Sequence, residues 1–221
     1  MRKDFEEQLY DLKVDLVAMC RIVQSMIKDA IRALVTHDKA LALSIQEIDR
    51  QVNEYEMTIE KKCMRLLLKQ QPVARDFREV STTLKMITDI ERIGDQAADI
   101  GNIVAGLEDD YIGKVEIIPR MGELAEKMVH DSVSSFIQNN TEIANKTIAV
   151  DKEMNELFIK VKEELIGLIK EDGKKNADQA IMFMMIAKYL ERIGDHAKNV
   201  CEWTNFFETG IRKDLTKKDK K

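Results

Sequence analysis

Glu91-Arg92-Ile93-Gly94-Asp95 recurs, letter for letter, 100 residues later as Glu191-Arg192-Ile193-Gly194-Asp195. An apolar residue precedes each copy (Ile90, Leu190), and an alanine stands two places after it (Ala97, Ala197). With 40 acidic residues in the chain, a single Glu-x-x-x-Asp carries little information. Five identical residues in register across two halves indicate two copies of one structural unit, each with one acidic site.

The repeat reaches beyond this string. Met26-Ile27-Lys28-Asp29 aligns with Met128-Val129-His130-Asp131 at an offset of 102, as do Ile48-Asp49 with Val150-Asp151 and Asn53-Glu54 with Asn155-Glu156. The change of offset makes the loop around Pro72 longer than the one around Gly173. Insertions are tolerated in turns rather than in packed helices.

The composition dictates the type of element. Hydrophobic residues make up 44% of the 221, aromatics only 5%, and there are 9 glycines and 2 prolines. Ala, Leu, Met, Glu, Lys and Gln are strong helix formers, and no stretch alternates apolar and polar residues as a half-buried strand does. The chain is all-α. Apolar residues three and four apart (Leu9, Leu12, Leu16, Met19, Val23, Met26, Ala30) trace a first helix up to Thr36-His37-Asp38, where Thr36 or Asp38 caps the next. Ile45, Ile48, Val52, Ile59, Cys63, Leu66 and Leu67 trace a second, ended at Gln70-Gln71-Pro72. Val80, Leu84, Ile87, Ile90, Ala97 and Val104 trace a third. Gly106, the acids Glu108 to Asp110, Gly113 and Pro119 form a linker. Three more helices are predicted at about Met121–Gln138, Glu142–Glu171 and Asn176–Ile211. The architecture is two tandem up-down three-helix bundles related by internal duplication: residues 1–106 and 120–212, a linker at 107–119, and a basic tail at 213–221.

Several functional classes are disfavoured. A net charge of −5 argues against a nucleic-acid footprint. Lys213, Lys217, Lys218, Lys220 and Lys221 read as a solvated tail, with contact to a membrane surface or an acidic partner as the alternative. Met1-Arg2-Lys3-Asp4 does not open a secretory signal, and the longest apolar run, Ala180 to Ala187, is too short to span a bilayer. Cys20, Cys63 and Cys201 are far apart and read as buried free thiols, so a cytoplasmic location is expected. The methionines follow the helical seams as core filler. Trp203, Phe206 and Phe207 either cap the second core or form a contact patch.

The acids can be placed relative to one another. At about 100° per residue, Glu91, Asp95 and Asp99 form one stripe at the rim of the apolar face. Like charges four apart weaken a helix, and Gly94 costs about 1 kcal/mol relative to alanine, so something bound or closely packed must compensate. In an antiparallel pair, residues symmetric about the turn share a level. Asp49 and Asp95, and Asn53 and Glu91, are symmetric about Pro72; Asp151 and Asp195, and Asn155 and Glu191, about Gly173. Asp29 and Asp49 are symmetric about the first turn, and Asp131 and Asp151 about the corresponding later one. Each bundle thus gathers carboxylates at one level, which either bind a cation or are neutralised by basic side chains such as Arg92 and Arg192. An all-oxygen set with amide support suits Mg, Ca, Mn or Fe, with Zn possible. His130 and His196 stand near the second set only. None of the 3 histidines follows a glutamate at the spacing of a carboxylate di-iron oxidase, and there is no Gly-rich phosphate loop or nucleophile elbow.

Leu190-Glu191-Arg192-Ile193-Gly194-Asp195 and its first-half copy, with Gln71-Pro72-Val73-Ala74-Arg75-Asp76-Phe77-Arg78 opening the third helix, resemble the PhoU family over nearly the whole chain. The resemblance implies paired three-helix bundles, multinuclear iron or zinc bound by acidic motifs, homodimerisation and no catalysis. It also implies a cytoplasmic adaptor between the ATPase subunit of a phosphate ABC transporter and a sensor histidine kinase. That adaptor keeps the phosphate-starvation response off when phosphate is plentiful, and it meets the membrane only through its partners. Glu91, Asp95, Glu191 and Asp195 match the family motif directly, and Asp49 and Asp151 match its pattern. Asp99, Asn53 and Asn155 complete the expected ligand set, together with Asp29 and Asp131, which rest on level and repeat alignment. Asn199 replaces an aspartate and makes a weaker ligand. The second half has Lys174-Lys175-Asn176-Ala177-Asp178 instead of the Gln-Pro-x-Ala turn. A purely structural scaffold and a metal-dependent phosphohydrolase are the competing readings.

Overall fold

The computed structural model describes residues 2–70, 74–108 and 116–211. The Gln71-Pro72-Val73 turn, most of the linker and the basic tail lie outside them. Six helices account for nearly everything described: α1 Arg2–Thr36, α2 Lys39–Gln70, α3 Ala74–Gly106, α4 Ile117–Ile137, α5 Thr141–Glu171 and α6 Gly173–Thr209. The longest, α6 with 37 residues, is about 55 Å at 1.5 Å per residue.

The duplication extends to the turns. His37 (φ 58°) after α1 and Asn139 (φ 52°) after α4 both take the left-handed conformation, which histidine and asparagine tolerate better than most residues. The next residue caps the following helix. Asp38 Oδ1 accepts from Leu41 N at 2.9 Å, and Asn140 Oδ1 accepts from Glu142 N and Ile143 N. Of the two expected caps, Asp38 performs the task, while Thr36 Oγ1 donates back to Arg32 O.

The boundaries of the second half shift slightly. Helix α4 begins at Ile117, so Pro119 lies in its first turn, where a missing N–H leaves no helical bond unmade. The α5–α6 turn is the single residue Asp172.

Each half packs three helices against one another, and the halves also pack together, α1 along α4 and α3 along α6. Both contacts are antiparallel: Arg75 pairs with Glu208 at 3.2 Å while Asp89 meets Asn199, and a Cβ on Gly122 would sit against Ile31 while Cys20 meets the carbonyl of Val129. One continuous core results, running from Leu16, Met26, Ile45 and Ile90 of the first half to Met128, Met154, Ile186 and Ile193 of the second. Phe207 closes the second core edge-on against Phe136, with ring centroids 5.5 Å apart. It is also gripped from α3: Arg75 lies over its ring and Arg78 Nε donates to its carbonyl. Two arginines of the motif that opens the third helix thereby hold the end of α6. Cys20, Cys63 and Cys201 are buried free thiols.

Candidate functional site

The acidic string of α3 lies where that helix meets α2. Gly94 is buried and pressed against its neighbours: a Cβ there would lie 3.2 Å from Asp49 Oδ1 and from Val52 Cγ1. At Gly194 it would lie 3.3 Å from Met154 Cγ. Close packing therefore offsets the mid-helix glycine in both halves, and in the first it leaves room for a carboxylate.

Around Asp49 the acids repel one another. Burial raises the Asp49 carboxyl above its ordinary value; Asp95 raises it further, Asn53 opposes by a hydrogen bond of 3.3 Å, and Asp99 adds to the rise. Glu91 is raised by burial, then by Asp95, against the pull of Arg92, with Glu56 and Asp49 adding to it. Glu56 is itself raised by burial, with Thr88 donating to it and Glu60 and Asp95 repelling. Asp49 Oδ1 is buried without a hydrogen-bond partner. The cation in this layer is Arg92, 2.8 Å from Asp95 and 3.5 Å from Glu91, on a side chain that remains 55% exposed. Glu56 escaped the sequence reading, although it is symmetric with Thr88 about Pro72 and lies on the stripe of Asp49 and Asn53; the same turn symmetry finds it.

The second layer keeps Asp151, Asn155, Glu191 and Asp195 but holds its own cations. Lys198 Nζ lies 2.8 Å from Asp151 Oδ2, whose other neighbour is Asn155 at 3.4 Å. Lys188 pairs with Glu191 and lies over the Phe158 ring. Burial lowers Lys198, but the Asp151 bond, with Asp151, Asp195 and Glu202 charges, raises it above its ordinary value. Asp195 is raised by burial, then by Glu191 and Asp151, against both lysines. The corresponding first-half positions are Ala98 for Lys198, Thr88 for Lys188 and Glu56 for Phe158.

The remaining expected ligands lie elsewhere. Asn199 Nδ2 donates to Asp89 Oδ1 of the first half at 3.0 Å, and His196 Nδ1 meets the same oxygen at 2.9 Å. Across the pseudo-twofold, the Tyr189 phenol donates to Asp99. Asp99 and Asn199 thus face the α3–α6 contact, with Asp99 still close enough to act on Asp49. Asp29 is held by Ser25 and Arg32 of its own helix. Asp131 is held by Lys127 at 2.5 Å and His130 at 3.1 Å. Level along the bundle was legible in the sequence; facing direction was not.

Among the described residues, no three His, Cys, Asp or Glu side chains stand together as a metal-binding group. In donor chemistry the first layer nonetheless fits a hard cation, because its acids are oxygen donors, outnumber their basic partner and include the orphaned Asp49 oxygen. The second layer also leaves a buried oxygen, Asp151 Oδ1, without a hydrogen-bond partner, but it fits a cation less well, because Lys198 and Lys188 already pair with Asp151 Oδ2 and Glu191. No described helix is long and apolar enough to cross a membrane.

Comparison with known proteins agrees with this doubled architecture. The PhoU domain family model matches twice, at residues 16–104 and 118–204. The chain is 35% identical over 216 residues to the phosphate-specific transport system accessory protein PhoU homolog of Clostridium acetobutylicum, covering 97% of this chain and 98% of that one. The homolog of the same name from Pseudomonas aeruginosa is 30% identical over 211 residues, covering 94% and 86%. The crystal structure of PhoU from Pseudomonas aeruginosa superimposes with a TM-score of 0.89 over 94% of this chain and 100% of that one, at 30% identity. PhoU from Streptococcus pneumoniae gives 0.89 over 96% and 100%, at 28% identity. These relatives are named as accessory or regulatory proteins of phosphate transport. With both halves matched in sequence and in fold, the chain belongs to the PhoU family.

Proposed function

We propose that this protein is a non-enzymatic regulator of phosphate uptake, acting as an adaptor whose first acidic layer binds divalent cations. The observation that carries the reading is the layer of Asp49, Glu56, Glu91 and Asp95, mutually repelling and half-buried, with one buried carboxylate oxygen unpartnered. A cation relieves that repulsion once Arg92, whose arm is largely in solvent, turns away from Asp95 and Glu91. Iron and zinc are the cations the family resemblance suggests, and manganese or magnesium suits the oxygen donors equally. A cation would draw α2 and α3 together and fix the outer surface they share. The partners proposed for such a surface are the ATPase subunit of a phosphate transporter and a sensor histidine kinase, met in the cytoplasm by a homodimer.

The test uses the full chain in a host lacking its own copy, with a phosphate-starvation reporter and co-precipitation of the transporter ATPase and the kinase. The native chain should silence the reporter in phosphate-rich medium and recover both partners. A variant carrying Glu91→Gln and Asp95→Asn should lose both effects while remaining folded. Full silencing by a folded variant that binds no metal would remove the cation from the proposal, leaving a metal-free scaffold.

A further inference from the structure

The two acidic layers descend from one repeat, yet different residues neutralise them. We infer that Lys198, with Lys188 beside it, is the built-in cation of the second layer, so that this chain binds divalent cations through its first half only. This inference rests on the cation reading of the first layer.

Beside the loss of the Asp99 charge at Asn199, three further substitutions between the repeats contribute to the difference, and all have the same sense. Ala98 becomes Lys198, which places an ammonium 2.8 Å from Asp151 Oδ2. Thr88 becomes Lys188, which pairs with Glu191. Glu56 becomes Phe158, which removes an acid and supplies the ring beneath Lys188. The lysines are held more firmly than Arg92. The Lys198 side chain is 27% exposed against 55% for Arg92, and its partner Asp151 is 13% exposed. A divalent cation entering the first layer displaces a solvated guanidinium. Entering the second, it must expel a half-buried ammonium from a buried carboxylate or share the space with it, and two positive charges at that range repel strongly. Arg192, the counterpart of Arg92, lies over the Tyr189 ring.

Equilibrium dialysis of chelator-stripped full-length protein against Mn2+, an ion suited to oxygen donors, tests this, with bound metal counted by elemental analysis. Asp49→Asn with Asp95→Asn should lose the tightly bound Mn2+ of the native chain. Asp151→Asn with Asp195→Asn should leave it unchanged. Lys188→Thr with Lys198→Ala, which restores the first-half residues, should gain a second population of bound Mn2+ that Asp151→Asn then removes. Loss of bound Mn2+ from the native chain through the second-half carboxamides overturns the inference while the first-layer reading stands. A native chain that binds no Mn2+ overturns both. Circular dichroism establishes that each variant is folded. The comparison of the two carboxamide variants decides the matter even if the lysine variant is not folded.

Discussion

Asp89 of α3 and His196 of α6 meet at 2.9 Å, and Asn199 donates to the same Asp89 oxygen at 3.0 Å. Ten residues along each helix in the mirrored sense, Tyr189 of α6 donates to Asp99 of α3. These polar contacts flank the antiparallel crossing of the two halves. Asp89→Ala should destabilise the protein by about 1–3 kcal/mol, because it leaves half-buried donors without an acceptor. That corresponds to about 2–4 °C in Tm per kcal/mol at this size. Thermal melts of the variant beside Asp89→Asn measure it; an unchanged Tm would show that apolar packing alone fixes the crossing.

Two glycine substitutions should act in opposite directions. A Cβ on Gly101 would lie 2.7 Å from the backbone carbonyl of Ala42, and backbone cannot give way as a flexible side chain does. Gly101→Ala should lower stability by about 1–3 kcal/mol. Gly167, within α5, has nothing within 4 Å of the same position. Gly167→Ala should raise stability by about 0.5–1 kcal/mol through helix propensity. Urea denaturation of both variants reads the pair.

The raised carboxyls of the first layer fix a pH dependence. Asp49, Glu56 and Glu91 titrate above their ordinary values in the folded chain. A group with a raised folded pKa contributes stability that is full below its unfolded pKa and lost as pH rises through its folded one. In chelated protein, the stability these three groups contribute should therefore grow as pH falls through their raised folded values towards the ordinary carboxyl range. Asp49→Asn should flatten that slope, and saturating Mn2+ should abolish it in the native chain by making the ionised form the favoured one. Denaturation midpoints across the range measure it, and identical slopes for native and variant chains would refute the layer's contribution.

The thiols should be silent in the native state. Burial pushes Cys20, Cys63 and Cys201 up to about 12, so almost no thiolate exists near neutrality. A chromogenic disulfide reagent should label none of them quickly at neutral pH in buffer and all of them in denaturant. Rapid labelling of the native chain would place at least one thiol in a segment that opens locally.

The sequence by itself determined the helices, the duplication and the level at which the acids gather. A helix advances by a fixed rise per residue, so a turn fixes which residues of two antiparallel helices stand side by side. Asp49 opposite Asp95, and Asp151 opposite Asp195, are legible for that reason, as is Asp38 as a cap. What lay beyond reach was azimuth. Whether a side chain at the right level points into its own bundle, along its own helix or towards another helix depends on how the two halves pack. That packing turns Asp99 and Asn199 towards the α3–α6 contact, leaves Asp29 and Asp131 with partners on their own helix, and carries His196 across to Asp89. Within the second bundle, the packing of α6 on α5 brings Lys198 to Asp151, and so the repeated string opening the two acidic sites sits in two different electrostatic environments. Identical letters fix identical local geometry, but the charge balance of a buried layer is set by every helix that contributes to it.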